Sequence, residues 1–243
     1  MPVTFNPALV AELAPRGVLR AAINLSNFLL VTGRAANGDP QGIAPDMAGE
    51  IAARLGVPLE LIAYESPGKL ADAVADWDVG LIGADPARAA EIAFSAAYLE
   101  IEATYLVPAD SKIHSIDEVD RTGVRIAVAA RSAYDLYLRR TIQTAELVHA
   151  AGLDASYELF LREKLDALAG LRPRLEKDVE KLPGARVLGG RFTSVQQAVG
   201  TAKARVASTA FLAAFVEEAK ASGLVAALIE RHGVHGVNVA PAL

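Results

Sequence analysis

The chain has 243 residues, of which 52% are apolar and 22% charged, a balance that suits a globular protein with a real core and excludes a disordered one. Its 24 lysines and arginines against 29 aspartates and glutamates leave a formal charge of −5. The signs are interspersed and no basic stripe appears, which argues against a nucleic-acid partner. There is no cysteine, so disulfides, thiolate nucleophiles and cysteine-ligated zinc are excluded.

Residues 1–7 carry neither a positive n-region nor an apolar h-region. The chain as written is therefore expected to be cytoplasmic, or periplasmic where a leader has been removed. A strand is predicted over 18–23, stopped by turn-forming residues at 24–27. Asn37-Gly38-Asp39-Pro40 reads as a turn. Asp46 is expected to N-cap a helix whose apolar face holds Met47, Ile51 and Leu55, and Gly56 to end it. A strand over 59–63, a helix over 69–75 and a strand over 77–82 complete a βαβαβ rhythm. That rhythm implies a parallel sheet covered by helices on both faces.

A second set of elements follows. It comprises an extended piece at 104–107, a helical turn at 115–119, a strand over 124–128 and a helix capped by Ser132 that runs to about 140. Then come a strand over 146–149, a helix over 156–162, a strand over 165–170 and a helix opened by Pro173, whose missing N–H costs nothing there. Strands at 186–188 and 195–199 complete the set. The tail is helical over 206–220, with Phe211 and Phe215 at i, i+4 spacing, and a further helix follows Gly223. Its uncharged, largely apolar part, 206–216, falls far short of the ~20 residues that span a bilayer, so no membrane insertion is expected.

Six segments in order resemble family 3 of the extracellular solute-binding proteins, the amino-acid receptors of ABC transporters. Gly17-Val18-Leu19-Arg20-Ala21-Ala22-Ile23 is similar to the family's opening strand. Gly42-Ile43-Ala44-Pro45-Asp46-Met47-Ala48, with Ile51-Ala52-Ala53-Arg54-Leu55-Gly56-Val57, resembles "GFDVDLA…IAKRLGV". Trp77-Asp78-Val79-Gly80 resembles the "DVI" strand. Asp85-Pro86-Ala87-Arg88, then Ile92-Ala93-Phe94-Ser95-Ala96-Ala97-Tyr98, resembles "TPERxxxVDFSxPY". Val124-Arg125-Ile126-Ala127-Val128 with Ser132 resembles "KVGVQxGST", and Leu165-Asp166-Ala167-Leu168 resembles "RVDAV". The resemblance implies a type II periplasmic-binding fold. Residues 1–106 with 200–243 would form one lobe and 107–199 the other, each a mostly parallel α/β sheet, joined by two hinge strands.

Arg88 is the sharpest candidate ligand contact. A guanidinium in the first turns of a helix opened by Pro86 can grip a carboxylate with two parallel hydrogen bonds, helped by nearby free N–H groups. The alternative is a surface arginine paired with Glu91 or Asp85. In the resembled family the matching arginine holds the ligand carboxylate. Asp85 belongs to the same motif, and Gly83 stands where the family has a hydroxyl residue. Ser132 and Ala133 open a helix whose exposed N–H groups could receive the same carboxylate, although Ser132 is equally a plain N-cap. Arg131 either adds positive charge there or points into water.

Asn24, Ser26, Asn27 and Phe28 follow the first strand, where open α/β sheets place ligands. Phe28 is either the aromatic wall that the resemblance implies or a core residue. Asp46 reads as a structural cap. The family often has an aspartate, pairing the ligand ammonium, at the position occupied here by Leu171. A leucine cannot compensate a buried ammonium, so the ligand is expected to be a carboxylate without a free α-ammonium. Arg172 beside it favours a second acidic group or caps the segment before Pro173.

His232 and His235 find no third ligand, so no metal site and no cofactor are expected. Phosphate-binding glycine loops and nucleophile elbows are absent, and Glu217-Glu218 fits a solvated helix face. The leading expectation is a monomeric binding protein that closes two lobes on a small carboxylate-bearing ligand and delivers it to an ABC permease. One alternative is a cyclohexadienyl-dehydratase-like enzyme on the same fold, with Glu65 or Glu100 as an acid of raised pKa. The other is a cytoplasmic sensor or scavenger.

Overall fold

The computed structural model describes residues 7–243; most of the segment read for a leader lies outside them. In chain order come α1 (Pro7–Leu13), β1 (Leu19–Asn24), the short pair β2 (Gly33–Arg34) and β3 (Pro40–Gln41), α2 (Ile43–Leu55), β4 (Leu59–Tyr64) and α3 (Pro67–Asp72). Then follow β5 (Val79–Gly83), a 3-10 turn (Arg88–Ala90), β6 (Ile92–Val107), a second 3-10 turn (Ile116–Glu118), β7 (Arg125–Ala129), α4 (Ala133–Thr141), β8 (Glu146–Ala150), α5 (Leu153–Arg162) and β9 (Ala167–Leu171). The chain ends with α6 (Arg172–Val179), β10 (Arg186–Val187), β11 (Thr193–Ala202), α7 (Val206–Ala221), α8 (Leu224–Arg231) and β12 (Asn238–Val239).

Two compact units result. One runs to Glu100 and resumes at Gln196–Leu243; the other is Ile101–Val195. The chain passes from one to the other within β6 and returns within β11.

In the first unit β1 lies between β4 and β5, parallel to both, with Leu19 opposite Leu59 and Ala21 opposite Val79. β11 adds on antiparallel to β5. Leu19, Ala21, Ala22 and Ile23 are fully buried, as expected for a central strand covered on both faces. Arg20 breaks that run and is only 7% exposed. Asp78 answers it: the carboxylate accepts from Arg20 Nε at 3.0 Å and Nη2 at 2.9 Å, and Arg205 Nη1 lies 2.9 Å away.

α2 buries Ile43, Met47, Ile51 and Leu55 at four-residue spacing, and Gly56 closes it in the left-handed conformation. Its N-cap, however, is Gly42 and not Asp46. The helix starts a turn earlier than expected because Gly42, at φ 147°, lies against the Leu30 backbone, where a Cβ would fall 2.3 Å from the carbonyl oxygen. Asp46 thus sits inside the first turn, and its carboxylate takes His232 Nε2 at 2.8 Å and Arg231 Nη1 at 3.2 Å.

In the second unit β7 is parallel to β8 and to β9, while β6 runs antiparallel to β9 with Ala103 opposite Leu171. Leu106, Ala127, Phe160, Leu165, Leu168 and Leu175 form its core. The extended piece expected at 104–107 is the end of the sixteen-residue β6. Buried and half-buried positions alternate along it only from Leu99 to Ala103, so the period-two signal is short.

Candidate functional site

In the first unit the sequence candidates gather at the carboxyl ends of two neighbouring parallel strands, since Ile23 of β1 stands opposite Leu81 of β5. Beyond β1, Asn24 Oδ1 accepts from the Ser26 amide and hydroxyl at 3.2 and 2.8 Å, and Asn27 Oδ1 accepts from the Leu29 amide at 3.3 Å. Both asparagines therefore shape their own loop, as Asx turns do. Phe28 is half-buried.

Beyond β5, Asp85 organises the turn. Its carboxylate accepts from the Ala87 amide at 2.8 Å, and its carbonyl accepts from the Arg88 and Ala89 amides, both at 3.0 Å. Those bonds produce a 3-10 turn and not the expected α-helix. They also consume the N–H groups that were to attract an anion, so the attraction there falls to the side chain of Arg88. That side chain is 7% exposed, and Nη1 donates to the Gly83 carbonyl at 2.5 Å. Gly83, Asp85 and Arg88 are thus one constellation.

In the second unit β7 ends at Ala129 and α4 begins at Ala133, three residues intervening. Ser132 is its N-cap, accepting from the Asp135 amide at 3.0 Å. Arg131, just before it, is left-handed at φ 61°, a conformation that costs a non-glycine residue free energy. Asp135, fully buried, holds this turn: its carboxylate accepts from the Arg131 amide at 2.6 Å and from Arg139 Nε at 3.1 Å, with His149 Nε2 at 2.9 Å. Asp135 was not among the expected residues, although Ser132-Ala133-Tyr134-Asp135 carries the spacing of a capping box.

At the end of β9, Leu171 is 7% exposed and offers no countercharge to an ammonium. Arg172 is already engaged. Nε lies 2.8 Å from Glu102 Oε2, and Nη2 donates to the Gly190 carbonyl. Arg191, also absent from the expected set, places Nη1 2.9 Å from Glu102 Oε1. Arg172 first, then Arg191, hold the Glu102 carboxyl below the usual carboxylate range.

A cavity of about 650 Å³ in this unit is lined by Pro108, Ile113, Phe160, Leu165, Leu182 and Pro183, with Val124 and Asp166 beside them. Val124 and Asp166 directly precede β7 and β9, so the cavity lies at the opposite strand ends from Ser132 and Leu171. None of the candidate ligand contacts lines it.

Of the acids considered for general-acid work, Glu65 is exposed and ion-paired with Lys69, which lowers its pKa. A general acid needs the opposite shift. Glu100 accepts from Gln196 Nε2 at 2.9 Å. Among the described residues no group of three or more His, Asp or Glu side chains could hold a metal.

The family model of the bacterial extracellular solute-binding proteins, family 3, matches residues 27–235. The chain belongs to that family. It is therefore a solute-binding protein. Solved structures share its two-lobed type II periplasmic-binding fold. A mutant of ArgBP from T. maritima is 22% identical with a TM-score of 0.73, the match covering 93% of this chain and 99% of that one. An amino acid ABC transporter substrate-binding protein from Streptococcus pneumoniae bound to L-arginine is 20% identical with a TM-score of 0.73, covering 96% and 99%. An ancestral amino acid-binding protein, a precursor of cyclohexadienyl dehydratase, is 20% identical with a TM-score of 0.72, covering 91% and 98%. At these identities the likeness is one of fold. Comparison with curated proteins gives no match.

Proposed function

We propose that this family 3 protein captures a small carboxylate-bearing molecule, acting as a monomer, and hands it to an ABC permease. Arg88 carries the reading. A guanidinium only 7% exposed sits just past the carboxyl end of β5, where open α/β sheets bind ligands, on a turn built by Asp85. Arginine's planar fork suits a carboxylate better than any other side chain does. On the second unit, Arg131 and the Ser132 end of α4 follow the carboxyl end of β7 and offer a second anion-receiving feature. Leu171 favours ligands without a free α-ammonium, because a buried ammonium without a partner is costly.

A thermal-shift panel of organic acids, keto acids and L-amino acids finds the ligand. At about one hundred times its dissociation constant, a true ligand adds ~2.7 kcal/mol, a rise of about 5–10 °C in Tm for a protein of this size. Arg88→Ala is expected to keep the fold and weaken the best ligand by about 2–5 kcal/mol, tens- to thousands-fold by calorimetry. Dissociation constants that agree within about twofold would remove Arg88 from the site. A standard L-amino acid as the only stabiliser would overturn the ammonium argument.

A further inference from the structure

We propose that the cavity of the second unit is a second ligand site, one that takes a free amphipathic acid: an alkyl or aryl body ended by an anionic group. The proposal is independent of the role given to Arg88. At about 650 Å³ the cavity has the size of a small-molecule site, and every residue that lines it belongs to this one unit.

The body of such a ligand finds apolar walls. Ile113, Phe160 and Leu165 are at most 8% exposed. Leu161 also lines the cavity and is 42% exposed, apolar surface that an occupant would take out of water. The wall at 109–113 is fixed by the chain itself. Arg186 Nη2 donates to the Ser111 and Ile113 carbonyls, both at 2.8 Å. Gly184, at φ 81°, lies so near Ala109 that a Cβ would fall 2.8 Å from the Ala109 Cβ.

Charge favours an anion. Lys112 and Lys164 line the cavity, and their side chains make no ion pair or hydrogen bond among the described residues. Asp110 and Asp166 are the acids of the lining. Asp166 Oδ2 accepts from the Arg125 amide at 2.8 Å, and Glu163, beside Lys164, is paired with Arg125. With Arg186 bonded to the wall, three cations stand against the two lining carboxylates.

Lys164 is the residue that points to a ligand. α5 ends in two bonds, from the Lys164 amide to the Leu161 carbonyl at 3.3 Å and from the Leu165 amide to the Phe160 carbonyl at 3.0 Å. They set Lys164 in the left-handed region at φ 48°. Glycine is the usual occupant of that position. α2 uses it: Gly56, at φ 65°, has the equivalent bonds from its own amide and that of Val57. A lysine in this conformation costs free energy that glycine does not, and no partner within the chain repays it. Backbone strain of this kind collects at ligand-binding positions.

Octanoate is the probe. Octylamine carries the opposite charge on the same chain, and butanoate the same head on a short one; all are read by Tm and calorimetry. Octanoate should raise the Tm of the parent and bind at least about tenfold tighter than either control. Lys164→Gly should raise the ligand-free Tm by about 1–4 °C as the strain is relieved, yet weaken octanoate at least about tenfold. Leu161→Asn, at an exposed position, should keep the fold and weaken octanoate several-fold. Arg88→Ala should change octanoate binding by less than about twofold. No Tm shift with octanoate, a control that binds as tightly, or octanoate binding unaltered in Lys164→Gly or in Leu161→Asn would overturn the second site. Octanoate binding lost in Arg88→Ala would put the acid in the carboxylate site proposed above and remove this one, leaving that reading standing.

Discussion

At the scale of single residues, charge placement in this protein is decided by partners far along the chain. Arg20 sits in a fully buried strand because Asp78, itself without exposure, accepts three of its N–H groups, backbone included. The Asp78 hydrogen bonds raise the pKa of Arg20. Asp78→Ala would remove the one carboxylate that pairs directly with both that guanidinium and Arg205 among the described residues. Breaking a buried pair from one side costs about 3–5 kcal/mol, so urea unfolding should show a loss of that order; a loss below about 1 kcal/mol, as for exposed pairs, would show that water compensates the arginines. Arg88 and Ser132 could be singled out from their motifs. Arg191 could not, because its meaning depends on Glu102, 89 positions away; Asp135 carries a capping-box spacing, but its contact with His149 has no such signal.

At the scale of elements, local turn chemistry overrides helix expectations wherever a side chain competes for the same amides. The Asp85 turn makes a 3-10 segment out of the sequence that reads as a helix start. Asp120 does comparable work for β8, a strand with β7 on one side only. Its carboxylate accepts from the amides of Gln143, Thr144 and Ala145, at 2.8 to 2.9 Å. Burial works to raise its pKa, but those three amides outweigh it and bring the value down from 3.8 to about 2. A depressed carboxylate pKa stabilises the fold above the unfolded value and loses that contribution as pH falls through the folded one. Protection of these amides against hydrogen exchange should therefore fall between about pH 4 and pH 2. In Asp120→Asn it should already be low at pH 5 and change little across the window. A parent chain with pH-independent protection would count against this anchor.

At the scale of the whole molecule, two units share two strands, and each unit is complete in its own core. β6 and β11 are the sole covalent passages between them. Few backbone dihedrals therefore need to change for one unit to move against the other, which is the usual condition for hinge motion. With anion-receiving residues proposed on both units, the best stabilising ligand of the panel should reduce the radius of gyration measured by solution scattering. An unchanged radius at saturation would argue that the ligand engages a single unit.

The sequence by itself determined the alternation of strands and helices, the ends of most elements and the family. Those depend on short-range patterns: apolar spacing along α2, Gly56 as a left-handed stop, Ser132 as a cap, and six motifs in order. Only the tertiary structure decided that Gly42 begins α2, that β6 runs for sixteen residues and that Arg172 and Arg191 share Glu102. Each of these turns on contacts between distant segments, whether the Leu30 carbonyl against Gly42 or Glu102 between two arginines. Local periodicity carries no record of which distant group will arrive, and a charged side chain takes its role from the group that does.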